Sequence, residues 1–255
     1  MNEVKIILTG ASGRMGKAVM ALAEKDERVS VVAAVDVTPV VSSVPFYNGV
    51  DELPAEPIAD VIVDFSHHTA TEGILNYAKK TGVATIICTT GHTDAELALI
   101  EEASKEVAVF RSGNMSLGIN LLMTLVTKAA SILEGFDIEI IEKHHNQKLD
   151  APSGTALMLE KAAEAGVDYT PNVVYDRHTE RKKREKTEIG MHSVRGGTIV
   201  GEHEVIFAGH DEVVTLSHSA QSREVFARGA LSAAVYMNGK SAGMYSMKDV
   251  IESVM

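Results

Sequence analysis

The sequence predicts an α/β protein: a doubly wound parallel sheet, followed by a second α+β domain with a mostly antiparallel sheet. Three observations predict this. A short apolar run at 4–9 leads into a glycine turn and then a helix pattern. Apolar runs and helix-period stretches then alternate as far as residue 110, the rhythm of a parallel sheet with helical crossovers. After Asn114 that rhythm gives way to a long helix and to strands separated only by turns.

Residues 4–9 (VKIILT) have the length and composition of a buried parallel strand. Gly10, Gly13 and Gly16 follow in G-x-x-G-x-x-G spacing, and 15–25 place Met15, Val19, Leu22 and Ala23 on one helical face. Strand, glycine turn and helix form the context of a Rossmann-type dinucleotide fingerprint, although the commoner spacing is G-x-G-x-x-G. Gly10 allows the tight turn, Gly13 lets backbone N–H groups approach a pyrophosphate, and Gly16 lets helix and sheet pack closely. The helix N-terminus then faces the phosphates, with Arg14 placed to meet an adenosine phosphate. Residues 29–35 (VSVVAAV) supply the second strand. Asp36 ends it, where an acid bonding the adenosine ribose hydroxyls belongs.

Residues 37–58 are polar and carry prolines, without a strong helix. Strands are expected at 60–65, 83–88 and 107–110. Helices are expected at 69–80, with Ile74, Tyr77 and Ala78 inward, and from Asp94 to about Lys105. Ligands of such sheets bind beyond the strand C-termini. Gly10–Gly16, Asp36, Asp64–Ser66, Thr89–Gly91 and Ser112–Asn114 therefore belong on one rim.

A helix over 117–134 is expected to bury Leu121, Leu122, Leu125, Ala129 and Ile132. Strand 137–143 and helix 153–165 follow, then strand candidates at 173–175, 187–194, 198–207 and 212–219. A last long helix, 223–238, is expected to bury Val225, Phe226, Ala230 and Leu231, and a short one covers 246–254. The domains are expected to be 1–115 with 224–255, the dinucleotide-binding part, and 116–223, the substrate-binding and oligomerisation part. The basic run 177–186 reads as a solvated loop.

The totals fit an ordinary soluble globular protein: 255 residues, 45% hydrophobic. A net charge of −11 argues against nucleic acid or an anionic membrane as partner. A single cysteine excludes an internal disulfide framework and any multi-cysteine metal site. No run approaches the ~18 apolar residues of a membrane span, and the N-terminus lacks a basic-then-apolar leader. A cytoplasmic protein is expected.

The chemistry is expected in 139–157, E-I-I-E-K-H-H-N-Q-K-L-D-A-P-S-G-T-A-L. His144 and His145 end a strand and so point to opposite faces, and Lys148 lies within loop reach. Imidazole, with a reference pKa of ~6.5, suits proton transfer at neutral pH. Ser153 reads as an N-cap, with Gly154 and Thr155 offering first-turn N–H groups on which a carboxylate gains charge-assisted hydrogen bonds and the helix dipole. No metal is expected: H-E-x-x-H is absent, since His203-Glu204 has no histidine at 207. Cys88-Thr89-Thr90 resembles the nucleophile segment of phosphorylating aldehyde dehydrogenases. Here, however, Cys88 closes an apolar strand instead of opening a helix, and Thr89, Thr90 and Gly91 are expected to line the nicotinamide or its ribose.

Collected, these segments resemble the dihydrodipicolinate reductase family, now called 4-hydroxy-tetrahydrodipicolinate reductases, over nearly the whole chain. The resemblance is carried by G-A-S-G-R-M-G at 10–16, D-F-S at 64–66, T-T-G at 89–91 and G-N-M-S-L-G-I-N at 113–120. It continues in E-K-H-H-N-Q-K-L-D-A-P-S-G-T-A at 142–156, S-V-R-G-G-x-I-x-G-E-H at 193–203 and S-R-x-x-F-A-x-G-A-L at 222–231. Met115, where an aromatic is usual, Met191 for a common phenylalanine, and a short 37–50 segment depart from the pattern.

The resemblance implies NADH- or NADPH-dependent reduction of a cyclic dicarboxylate with loss of water, in diaminopimelate and lysine biosynthesis, by a homotetramer. It implies His144 as proton donor/acceptor and Lys148 as a carboxylate-facing proton donor, with His145, Ser153, Gly154 and Thr155 on the substrate. It implies cofactor contacts from Gly10, Ala11, Ser12, Gly13, Arg14, Met15 and Gly16, from Asp36, from Cys88, Thr89 and Thr90, and from Ser112, Gly113, Asn114 and Met115. Asp36 favours a free 2′-hydroxyl, so dual use leaning toward NADH is expected, with Arg14 and Lys17 able to compensate a 2′-phosphate. A hinge near Asn114 and Arg223 is expected to close the domains. Two rival readings stay open: another two-domain Rossmann oxidoreductase, and an NADH-sensing module without turnover.

Overall fold

β1 (Val4–Thr9) is buried at every position except Lys5, as a central strand covered on both faces must be. The structure is a computed structural model that describes residues 3–39, 43–178 and 181–254. It divides into two units, Met1–Leu117 with Glu224–Met255, and Gly118–Arg223.

In the first unit β1 leads through the glycine turn into α1 (Arg14–Ala23). β2 (Val29–Val35), a short β3 (Phe46–Tyr47) and β4 (Val61–Asp64) follow. α2 (Thr71–Thr81), β5 (Ala84–Ile87), α3 (Asp94–Ala103) and β6 (Ala108–Arg111) complete the alternation. α3 starts with a capping box between Thr93 and Glu96.

α4 (Leu117–Ile132), β7 (Asp137–His144), α5 (Gly154–Glu164) and β8 (Asn172–Val174) open the second part of the chain. β9 (Glu188–Arg195), β10 (Gly201–Ala208) and β11 (Val213–Ala220) follow. The chain then re-enters the first unit with α6 (Glu224–Met237), β12 (Gly243–Tyr245) and α7 (Met247–Glu252).

The first sheet runs β3-β2-β1-β4-β5-β6-β12 with every pairing parallel, the doubly wound order. Alternate residues of its strands serve two cores. Ile6, Leu8, Val63 and Phe110 pack with α1, α6 and α7, and Ile7, Ile62, Ile87 and Val109 pack with α2 and α3. α6 buries mostly small residues, Ala227, Gly229, Ala230, Ala233 and Ala234, with Val225 and Phe226 only half-buried. A Cβ on Gly229 would lie 1.7 Å from the Met115 carbonyl oxygen. That close approach fixes where the 112–116 turn lies beneath the helix. The expected strands and helices are present, and β12 was not expected: its three residues are too few to show a period.

The second sheet runs β11-β10-β7-β9-β8. The pairings β10–β11 and β7–β10 are antiparallel and β7–β9 and β8–β9 parallel, so the sheet is mixed. Ile138 and Ile140 of β7, Met191 of β9 and Phe207 of β10 form its core with Leu122 and Val126 of α4 and Leu159 and Ala163 of α5. Leu121, Leu125 and Ile132 do not face this core; they are 44%, 45% and 64% exposed. α4 is apolar almost all round from Leu117 to Val126, so the period could not choose the buried face.

The basic run is only partly a solvated loop, and its Thr179 and Glu180 lie outside the described residues. Arg184 is held against the sheet by Asp137 at 2.8 Å and Glu139 at 3.0 Å, and Arg177 pairs with the buried Glu188.

Candidate active site

The first unit presents the rim on which a nucleotide is expected. Gly10 has φ +74°, and a Cβ there would lie 2.4 Å from the Phe65 carbonyl oxygen; on Gly16 it would lie 2.2 Å from the Gly10 carbonyl oxygen. Only glycine lets β1, the turn and α1 approach this closely. Asp36 accepts from Ser12 N–H at 3.0 Å through one oxygen and from Thr38 N–H at 3.0 Å through the other. Burial raises its pKa, but the bonds from Ser12 and Thr38 outweigh that, and the net shift is downward. Asp36 therefore stays an acceptor at the mouth of a cavity of about 510 Å³ lined by Gly10, Ser12, Gly13, Val37, Asn48 and Asp51 among others. No lysine or arginine lines that cavity among the described residues.

A second cleft of about 790 Å³ shares Phe65, Ser66 and His67 with the first and extends along Cys88–Gly91 and Ser112–Met115. Its floor is fixed by Asp64, fully buried at the end of β4. Asp64 accepts from Thr9 Oγ1 at 2.6 Å, Ser66 N–H at 2.9 Å and Thr89 Oγ1 at 2.7 Å, tying three strand ends together. Ser112 Oγ donates to the Asn114 carbonyl at 2.9 Å, closing that turn. Cys88 lies along the cleft, where burial and then Asp64 push its thiol well up. A thiol held protonated there is no nucleophile. Arg14 borders this second cleft and is not among the residues lining the Asp36 cavity. The glycine cradle, the Asp36 acceptor and the two joined cavities fit a dinucleotide such as NAD(P)H.

The second unit gathers the titratable residues expected to carry the chemistry. In β7 the positions Ile138, Ile140, Glu142 and His144 alternate onto the buried face. Glu142 is fully buried and filled on all sides. The Arg195 guanidinium donates twice, at 2.7 Å to each oxygen, and Ser153 N–H donates at 3.1 Å. His144 Nδ1 lies 2.6 Å from Glu142 Oε2. Burial raises the Glu142 pKa, but bonds from Arg195, His144 and Ser193 overcome it and bring it to about 2. His203 stands opposite Glu142 on β10, with its ring edge-on to His144 at 5.2 Å and its Nε2 3.0 Å from Ser153 Oγ. Burial, and then the neighbouring His144, lower its pKa to about 4, so it stays neutral at physiological pH.

α5 begins where the sequence pattern places it. Ser153 is the N-cap, its Oγ accepting from Ala156 N–H at 3.2 Å. Its other contacts go to Glu142 and His203, and it is 2% exposed. Ser153 thus ties the start of the helix to the Glu142 carboxylate. Gly154 is exposed at the helix mouth and Thr155 half-buried. Lys148 Nζ lies 2.8 Å from Asp150 in the same loop, with 21% of its side chain exposed. His145, beyond the end of β7, is half-buried.

Sequence reading missed Glu142, Arg195, His203 and Asp64 as organisers. Glu142 carried a signal, a charge at a position where the strand alternation demands an apolar residue. Arg195 lies 53 residues away from Glu142, and no local pattern links the two. Among the described residues no group of three or more His, Cys, Asp or Glu is arranged to hold a metal ion.

Comparison with known proteins agrees along the whole chain. The family model described as "Dihydrodipicolinate reductase, N-terminus" matches residues 4–115, and that described as "Dihydrodipicolinate reductase, C-terminus" matches 118–251. The 4-hydroxy-tetrahydrodipicolinate reductase of Caldanaerobacter subterraneus subsp. tengcongensis is 51% identical over 249 residues, covering 98% of each chain. That of Clostridium botulinum is 49% identical over 250 residues, covering 97% of this chain and 98% of its own. Among solved structures, the dipicolinate-bound dihydrodipicolinate reductase from Paenisporosarcina sp. TG-14 has the same fold, with TM-score 0.78 and 24% identity over 97% of this chain and 99% of its own. Matched by the family over both of its parts and by full-length relatives near half identity, this chain belongs to the dihydrodipicolinate reductase family.

Proposed function

We propose that this chain is an NAD(P)H-dependent 4-hydroxy-tetrahydrodipicolinate reductase, with His144 as the group that exchanges a proton with the substrate. The observation that carries the assignment of His144 is its buried bond to Glu142 on one ring nitrogen, with 11% of its side chain still open. An imidazole anchored on one side can give a proton from the other. The substrate is a cyclic dicarboxylate bearing a hydroxyl that leaves as water. Lys148 and the Gly154–Thr155 amides neutralise and orient its carboxylates, with fixed donors replacing water. The bound nicotinamide supplies the hydride. The electron-rich nitrogen side of the ring then takes its proton from His144, and Lys148 can assist.

The reading leans toward NADH. Asp36 suits a ribose hydroxyl, and Asp36 and Asp51 line the cavity with no lysine or arginine among the described residues to hold a 2′-phosphate. We place the protein in the cytoplasm as a homotetramer assembled through the second unit, a reading that rests on its family. The test is NADH and NADPH oxidation with freshly made substrate, in the parent protein and in His144→Gln. The variant is expected to lose about 100-fold or more in turnover while its NADH affinity stays within about twofold. Undiminished turnover in His144→Gln would remove this residue from the chemistry.

A further inference from the structure

A fully buried carboxylate on a strand whose two preceding inward positions are Ile138 and Ile140 calls for a reason other than packing. Apolar residues of similar volume are commonly as stable there, so the pair with Arg195 is poor support for a purely structural role. Its geometry points elsewhere. Arg195 holds both Glu142 oxygens, so the carboxylate is ionised and can only accept. His144 Nδ1, at 2.6 Å, must then be the donor. The opposite nitrogen, Nε2, makes no hydrogen bond among the described residues and faces Gly201, where a Cβ would stand only 3.1 Å away. Arg195 also donates to the Asp150 carbonyl at 2.7 Å, and Asp150 holds Lys148. One guanidinium thus ties the carboxylate behind the histidine to the loop carrying the lysine.

We propose that Glu142 and Arg195 are a positioning pair for the reaction: Glu142 fixes the His144 proton on Nδ1 and leaves Nε2 as the exchanging atom, while Arg195 holds Glu142 and pins the Lys148 loop. The inference rests on the reading of His144 as proton donor given above. The imidazolium gives its Nε2 proton to the substrate, keeps its Nδ1 proton on Glu142, and regains the lost proton from water before the next turnover. Glu142 on its own strand bonds the His144 ring and His203 on β10 meets it edge-on, with Arg195 on β9 behind Glu142; His218 on β11 and Lys148 in the following loop act electrostatically on His203. His203 stays neutral, so among the described residues Glu142 is the anion in contact with the imidazole.

The experiment compares Glu142→Gln and Arg195→Gln in the full-length protein. Glu142→Gln is expected to lower kcat about 100-fold while KM for the dicarboxylate changes less than about threefold. With the anion gone, the high-pH limb of the kcat/KM profile moves to lower pH by about one unit; with the cation gone in Arg195→Gln, it moves to higher pH. A merely structural pair would not move the limb in opposite directions. Glu142→Asp keeps the charge and the fold, and it is expected to return the limb to its parent position.

Imidazole ¹⁵N NMR of the unliganded protein gives a reading independent of activity, in which the Nδ1–H form is expected to lose its dominance in Glu142→Gln. An unchanged tautomer, or limbs that stay fixed in both folded variants, overturns the positioning role. A scrambled tautomer with full turnover upholds the positioning and instead removes His144 from the chemistry.

Discussion

Replacing Gly154 with alanine separates binding from folding. Gly154 is exposed at the first turn of α5, and a Cβ there meets nothing within 4 Å. Its φ lies outside the left-handed region, so an alanine carries no backbone strain. A helix interior gains up to about 1 kcal/mol from glycine to alanine, and a first turn less. Stability should therefore hold or rise slightly. Binding should move the other way, because the methyl stands beside the amide on which the substrate carboxylate is proposed to dock. Loss of a hydrogen bond to a charged group removes about 1.5–3 kcal/mol, roughly 10- to 150-fold in affinity. The assay is calorimetric titration with pyridine-2,6-dicarboxylate, a planar analogue, alongside thermal unfolding. An unchanged Kd in a protein of parent stability would refute the helix mouth as the carboxylate site.

Two further outcomes are expected. Asp36→Asn keeps an acceptor for Ser12 N–H and removes the charge, so the NADPH to NADH ratio of kcat/KM should rise about tenfold from relief of repulsion with a 2′-phosphate; steady-state assays with both nucleotides check this, and an unmoved ratio would show that Asp36 does not read the ribose. Acid should weaken the protein in two stages. His203, at about 4 against an ordinary 6.5, contributes stability that is whole above about pH 6.5 and is lost as pH falls to about 4. Glu142, at about 2 against 4.5, contributes stability that is whole above about pH 4.5 and is lost as pH falls toward 2. Each is worth up to about 3 kcal/mol. Urea midpoints at pH 7.5, 5.5 and 4 should fall in order, and a flat series would refute the assignment.

Much of the chain could be read before any coordinates. The strand–glycine–helix opening, Asp36 at the end of β2, and the Ser153 cap were local patterns whose physical demands are met within a few residues. Features that depend on distant packing could not be read this way. α4 is apolar on nearly every side, so only the sheet it lies on decides that Val126 is buried while Leu125 is 45% exposed. Whether Arg14 borders one cleft or the other depends on how the rim loops gather.

By itself the sequence determined most of the elements, where the glycines must be, and 139–157 as the stretch in which to look for the chemistry. Those properties follow from local propensity, periodicity and turn sterics, which act over a few residues. Tertiary structure alone decided that Glu142 joins His144, Arg195 and Ser153. That meeting depends on the register of β7 against β9 and on where α5 begins above them, at a separation of 53 residues between Glu142 and Arg195. A carboxylate looks the same in a list of letters whether it faces water or is sealed behind a histidine, and only its neighbours in space set its charge and its role.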